Sequence, residues 1–167
     1  IAEKDDKRLF LKRNSSPFLA VLSAEGIVPK LIWTRRMENG DVITAQEWLD
    51  GRTLERDEMK HERVAELLYK IHHSSELLHM LVRLGKRPKT SDQRFAQLKK
   101  YSVVSSLSEK HKEVRQAIHI LTEFLPMTRN TKLSVCHGDI DHHNLILDQT
   151  KRIYLVDWEN AKIADPI

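Results

Sequence analysis

The segment VCHGDIDHHNLIL, residues 135–147, sets three histidines, two aspartates and one asparagine between two short apolar runs. Asp139 follows the apolar run LSVC, a position at the end of a strand from which a carboxylate can face a cleft. Five residues on, Asn144 offers a neutral oxygen, and thirteen further, at the end of IYLVD, Asp157 offers a charged one. Two adjacent strands would bring Asn144 and Asp157 together. Oxygen ligands of that kind suit Mg²⁺, which keeps several waters and takes one or two protein carboxylates together with substrate phosphates. Asp139 is then left to act as a base. Phosphoryl transfer from ATP asks for this set: a carboxylate to orient and deprotonate a hydroxyl, ligands for the metal, and a cation on the phosphate chain. Lys12, on the strand-like run RLFLKR, is the candidate cation.

The elements that must position these groups follow from periodicity. In RLFLKR, Leu9 and Leu11 fall on one face and Phe10 and Lys12 on the other. SSPFLAVLSAEG predicts a short helix with Ser16 as N-cap, Pro17 at the first helical position and Gly26 as its stop. Asn39-Gly40 between two strand-like runs is a hairpin signal. Val64, Leu67, Leu68 and Ile71 repeat at helical spacing. SSELLHMLVRLG predicts a second helix of the middle segment, ended by Gly85, and TSDQRFAQLKKY a third, opened by Thr90, Ser91 or Asp92. A fourth is predicted from Ser108, with Val114, Ala117, Ile118, Leu121 and Leu125 on one side, stopping at Pro126. LSVC, NLIL and RIYLVDW then read as strands, the last two joined by the turn DQTKR. The expected order is a sheet lobe, a helical segment, and a hairpin carrying the polar cluster, with the boundary at WLDGRTL, residues 48–54.

Composition narrows the function classes. The chain has 167 residues, 40% hydrophobic and 31% charged, suiting one soluble domain or two small lobes around a cleft. No apolar run approaches the roughly 20 residues needed to span a bilayer, and IAEKDDKRLF is not a signal peptide, so a cytoplasmic protein without membrane partners is expected. The basic excess of +4 is scattered and only 6% of residues are aromatic, which argues against a nucleic-acid binder. One cysteine, Cys136, excludes an internal disulfide and reads as a buried apolar thiol. His142 and His143 invite a metal reading, and DHH is the signature triplet of a phosphoesterase superfamily, but the further aspartate motifs of that chemistry are not found upstream. His72 and His79, one heptad apart, read as satisfied or exposed helix histidines rather than a zinc site. Trp48 and Trp158 read as core packing rather than ligand stacking.

HGDIDHHN resembles the H-G-D-x-x-x-x-N catalytic loop of the aminoglycoside phosphotransferase and choline kinase family, whose fold is similar to that of the protein kinases. YLVDWENAKIADP resembles the family's metal-binding I-D-[WF]-[ED]-x-A-x-x-x-D-P segment, and the two stand in the family's order and separation. More narrowly, LFLKRNSSPFLAVLSAEGIVPKLIWT is similar to bacterial phosphotransferase-family proteins of the YtmP type. The resemblance covers essentially the whole chain. It implies an α+β, bilobal, protein-kinase-like fold, with a partial nucleotide-binding lobe over residues 1–50 and a partial helical lobe over 51–167. It implies ATP and Mg²⁺ as cofactors, Asp139 as catalytic base, Asn144 and Asp157 as metal ligands, and Lys12 on the nucleotide phosphates. Gln46, Glu47, Trp48 and Leu49 would form a hinge whose backbone meets adenine. His137 would hold the catalytic loop, Asp165 would brace the loop after the metal aspartate, and His72 would support.

By that resemblance, a glycine-rich strand pair should precede Lys12 and acceptor-binding helices should follow Asp165, so the chain is expected to be truncated at both ends. Glu25, close to the end of the helix after Lys12, is weighed as its ion-pair partner against a surface carboxylate. The function implied is an ATP-dependent kinase transferring the γ-phosphate to a hydroxyl of a small molecule of the aminoglycoside, choline, amino-alcohol or sugar type. The alternative is a non-catalytic nucleotide-binding scaffold of the same fold. The stretch MLVRLGKRPK is not acidic enough to argue for a cationic acceptor.

Overall fold

The computed structural model describes residues 1–4, 7–128 and 131–166. Four antiparallel strands, β1 (Ala2–Lys4), β2 (Lys7–Arg13), β3 (Leu31–Arg36) and β4 (Val42–Glu47), form a sheet of order β1-β2-β4-β3. The register sets Phe10 opposite Gln46 and Lys12 opposite Thr44, so the face expected to carry Phe10 and Lys12 also carries these two β4 side chains. The Asn39-Gly40 turn joins β3 to β4: Gly40 has φ +87°, and the Asn39 side chain accepts from the Asp41 amide at 3.0 Å. β1 was not expected, since three residues are too few to show alternation.

Between β2 and β3 lies α1 (Phe18–Ala24). The helix starts one residue later than expected, with Pro17 (φ −55°) at the capping position, while the Ser16 hydroxyl accepts from the Phe18 amide at 3.2 Å. Phe18 and Leu22 are the buried residues of this helix. They join one continuous core with α2 (Glu62–His73), which contributes Val64 and Ile71, and α3 (Ser75–Arg83), which contributes Leu77 and Leu81. Removing each such side chain from water contributes about 1.5–3 kcal/mol, and this shared core ties α1, which lies between β2 and β3, to α2 and α3.

Two small sheets carry the polar motifs. β5 (Gly51–Thr53), β7 (Leu145–Asp148) and β8 (Ile153–Leu155) form one, in the order β5-β7-β8. β6 (Ser134–Cys136) and β9 (Lys162–Ala164) form the other. Val135, Leu145, Leu155 and Ile163, all at most 1% exposed, point from these strands into the core. β5 and β9 escaped the sequence reading because GRT and KIA show no alternating pattern.

α4 (Ser91–Val104) is opened by Thr90, the first of the three candidates: its hydroxyl accepts from the Gln93 amide and Gln93 reaches back to the Thr90 amide, a reciprocal capping box. The single helix expected from Ser108 is instead two, α5 (Leu107–Lys110) and α6 (Lys112–Phe124), separated by His111 in an extended conformation (φ −123°, ψ 115°). Nothing apolar in SEKHKE enforces continuity, because the apolar period begins only at Val114. The apolar side of α6 is not buried: Val114, Ile118 and Leu125 are half-covered, while Ala117 and Leu121 are exposed. A short 3₁₀ turn, Leu125–Thr128, carries Pro126 past the helix end. Among the described residues no helix is long and apolar enough to cross a membrane.

Candidate active site

The loop after β6 is held from beneath by His137, which is 1% exposed. Its Nε2 donates to the Val156 carbonyl at 2.8 Å, and its ring meets Trp158 edge-on at 4.7 Å. Burial pushes the His137 imidazole below its usual pKa, opposed by the carbonyls of Val156 and Asp139, so the ring is a neutral brace. Gly138 follows at φ +88°, and a Cβ there would come within 2.7 Å of the Asn160 carbonyl oxygen, so only glycine fits. The chain then presents Asp139 on the surface. Asp141 turns it into a one-turn 3₁₀ helix, His142–Asn144, by accepting from the His143 amide at 3.0 Å.

Asn144 closes the loop on itself, its Nδ2 donating to the Asp139 carbonyl at 2.9 Å. That bond engages the amide nitrogen and leaves the amide oxygen without a hydrogen bond among the described residues. The β7–β8 register, Leu145 opposite Leu155, continues outward through the Val156 amide, which donates to the Asn144 carbonyl at 2.9 Å. Asp157 is therefore the next residue along from Asn144's neighbour. It takes a left-handed conformation, φ +64°, with its side chain half exposed. One carboxylate and one unengaged amide oxygen, on two partly exposed side chains, form a donor set that fits Mg²⁺ with its retained waters.

Lys12 meets Asp157 from the four-stranded sheet. Its ammonium lies 3.3 Å from Asp157 and 2.9 Å from Glu159. Burial pushes the Lys12 pKa down, but hydrogen bonds and charge from Glu159 and Asp157 together outweigh it and leave the pKa raised. Glu25 is not the partner: it pairs with Lys70 at 3.6 Å, because α1 ends with that carboxylate facing α2. Glu159 was missed by sequence reasoning; the signal available was its place two residues beyond Asp157, with Trp158 between them turned inward.

Above the ion pairs a cleft of about 620 Å³ opens between the sheet and the β7–β8 hairpin. Phe10, Leu19, Val28 and Ile146 make it largely apolar, residues 46–49 line it, and Lys12, Asp157 and Glu159 give it one charged end. Such a space can take a flat ring with a polyphosphate pointing to the charged end. Of the four hinge candidates, Gln46 is buried with its side chain donating to the Pro29 carbonyl at 2.9 Å, and the Glu47 amide is committed to the Lys30 carbonyl at 2.8 Å. Trp48 is half-exposed and lines the cleft, contrary to the core role expected of it. Trp158 is core, 8% exposed, donating to the Leu155 carbonyl at 2.7 Å and meeting Phe18 edge-on at 5.7 Å.

The remaining candidates are supports. Asp165 accepts from the Ser91 amide at 2.9 Å and from the Ser91 hydroxyl, fixing the start of α4 to the end of β9. Cys136 is half-buried rather than fully buried, its pKa raised by burial, so it stays a neutral thiol. His72 is half-buried on α2 and burial lowers its pKa, while His79 is exposed. Asp141, His142 and His143 are the one group among the described residues close enough to share a metal ion, with ligand atoms within 4.8 Å. Asp141 already caps the 3₁₀ turn, and its carboxylate lies 2.8 Å from His142 Nδ1.

The chain matches the model of the phosphotransferase enzyme family, APH, over residues 2–167. Among solved structures it is similar to the GDP complex of wild-type aminoglycoside 2'-phosphotransferase-IIIa, with TM-score 0.68 and 14% identity over 89% of this chain and 56% of that one. It is similar to choline kinase LicA from Streptococcus pneumoniae, TM-score 0.62, 19% identity, covering 98% of this chain and 60% of that one. It is also similar to spectinomycin phosphotransferase APH(9)-Ia in complex with ADP and spectinomycin, TM-score 0.60, 13% identity, covering 98% and 60%. At these identities the structural likeness is one of fold, and the chain spans between 56% and 60% of the length of the three. The fold is α+β and protein-kinase-like, and the chain, matched by the family model over all but its first residue, belongs to the phosphotransferase enzyme family.

Proposed function

We propose that the protein is an ATP-dependent, Mg²⁺-requiring kinase that transfers the γ-phosphate to a hydroxyl of a small molecule. The observation that carries this is the meeting of Lys12, Asp157 and Glu159 at the charged end of the apolar cleft, groups drawn from opposite ends of the chain. The ADP and spectinomycin named with one structural neighbour support a nucleotide beside a small acceptor. In this reading residues 1–50 are the nucleotide-binding lobe and 51–167 the lobe that carries the catalytic loop. The ring of ATP lies in the apolar slot against the backbone of residues 46–49, where Trp48 and Leu49 are the contacts, Gln46 and the Glu47 amide being engaged within the fold.

Lys12 releases its two carboxylates to hold the phosphates, and Asp157 and the Asn144 oxygen would hold Mg²⁺, which would offset the negative charge of the phosphate oxygens. Asp139 takes the proton of the acceptor hydroxyl as that oxygen bonds to the γ-phosphorus; the bond from the γ-phosphorus to the bridging oxygen breaks, and ADP leaves with the electron pair. Neutral His137 keeps Asp139 in place, and Asp165 keeps α4 against the loop. The test is a γ-phosphate transfer screen of amino alcohols, aminoglycosides, sugars, nucleosides and their phosphate esters with the intact natural protein. Transfer that requires Mg²⁺ supports the reading; Mg²⁺-dependent ATP binding with no product from any acceptor would favour a non-catalytic scaffold.

A further inference from the structure

A second cavity, of about 530 Å³, shares Glu159 with the apolar cleft. The loop after α3, the face of α4 and the strand β9 wall it, and Lys86, Arg87, Lys89, Arg94 and Lys162 all line it. The Lys89 amide donates to the Ile163 carbonyl at 3.1 Å, which fixes the loop to the strand. Against five cations the lining offers one carboxylate, Glu159, so the positive excess persists even when Lys12 lets that group go. None of the five forms an ion pair among the described residues. Arg94 adds a second sign: its Nε is buried and has no hydrogen-bond partner among the described residues. Unrelieved like charge around a concave site raises the local concentration of anions and repels cations.

The cavity also adjoins the catalytic loop. A Cβ on Gly138 would lie 3.1 Å from the Lys162 ammonium, and Gly138 directly precedes Asp139. A molecule whose hydroxyl reaches Asp139 could therefore set its other end among the five cations. We propose that this cavity holds the anionic end of the phosphate acceptor, so that the substrate is a hydroxyl compound already carrying a phosphate ester, not an amine cation. The inference rests on the kinase reading above and names the substrate class of that same site. Arginine forks and lysine ammonium groups match phosphate oxygens, whereas an ammonium-bearing acceptor would meet net repulsion here.

The test separates binding from transfer. In the intact protein bearing Asp139→Asn, with Mg²⁺-ADP saturating so that the Lys12 end is filled, calorimetry measures glycerol 3-phosphate, ribose 5-phosphate and glucose 6-phosphate against glycerol, ribose, glucose and choline. At least one ester is expected to bind about tenfold or more tightly than its unphosphorylated parent. A Lys86→Gln, Arg87→Gln, Lys89→Gln triple variant, altering three exposed side chains, should lose about tenfold of that affinity and leave Mg²⁺-ADP binding unchanged. Esters that bind no better than their parents or choline, or an affinity untouched by the triple variant, would overturn the inference. Wild-type protein that binds an ester but never phosphorylates it would instead refute the kinase reading and leave the anion site standing. Efficient transfer to a neutral or cationic hydroxyl would do the reverse.

Discussion

Replacing Trp158, a core residue that also borders the cleft, by alanine should loosen nucleotide binding through the support its ring gives Asp157. The indole is 8% exposed, meets Phe18 and His137 edge-on at 5.7 and 4.7 Å, and donates to the Leu155 carbonyl at 2.7 Å. Truncating so buried an aromatic costs about 3–5 kcal/mol, the lost transfer free energy and the cavity together. Asp157 stands directly before it in a left-handed conformation, which the neighbouring core must hold in place. Leu77→Ala is the control, since Leu77 is 0% exposed on α3, does not line the cleft, and should cost a comparable 2–5 kcal/mol, roughly. Urea unfolding followed by far-UV circular dichroism gives the two stabilities, and titration with Mg²⁺-ATP gives the affinities. Trp158→Ala should weaken Mg²⁺-ATP binding by about tenfold or more, as loss of a group supporting a metal ligand does, while Leu77→Ala leaves it nearly unchanged. A cost below about 1 kcal/mol for Trp158→Ala, or an equal loosening of the nucleotide by Leu77→Ala, would refute this role for Trp158.

Three other outcomes follow from the charges. Arg52 grips Glu58 through two hydrogen bonds of 2.6 and 2.7 Å, and the Glu55 amide adds a third, lowering the Glu58 carboxyl from 4.5 to about 2. The stability this contributes is full above the unfolded value and is lost as pH falls through the folded one, so Glu58→Gln should flatten the acid limb of the urea midpoint below about pH 4.5. His137 has the opposite proton linkage to a paired histidine: burial lowers its pKa, the unfolded chain binds the proton more readily, and stability should fall as pH drops below 6.5. Substituting His137 by glutamine should remove that slope, measured from pH 7 to pH 5, roughly. Glu159→Gln should shift the pH at which Lys12 loses its proton downward, read by lysine-selective NMR, whereas Glu25→Gln should leave it in place because Glu25 pairs with Lys70.

The parts of the site legible in the sequence are those fixed by local pattern. Strand alternation placed Phe10 and Lys12 on one face, Asn39-Gly40 placed the hairpin, and the order of HGD, Asn144 and Asp157 placed three polar groups at the mouths of short strands. What was not legible depends on how the chain closes on itself. The partner of Lys12 was sought on the next helix, yet the acidic groups that reach it come from the segment after β8, because the sheet packs over that hairpin. Trp48 looked like a core residue by type, but its strand ends at Glu47 and the chain leaves the sheet there, so the ring lines the cleft. The cationic cavity was invisible because Lys86, Arg87, Lys89, Arg94 and Lys162 are scattered basic residues until β9 is laid beside the loop after α3.

The most direct measurement of the central claim is Mg²⁺-dependent γ-phosphate transfer by the intact natural protein and by its Asp139→Asn variant, with Mg²⁺-ATP affinity measured on both. Asp139 is exposed and its carbonyl, not its carboxylate, carries the bond to Asn144, so the isosteric change should leave the fold and nucleotide affinity intact. The transfer rate should fall about 10²-fold or more, in keeping with loss of a general base. Transfer at an undiminished rate, with nucleotide still bound, would contradict it.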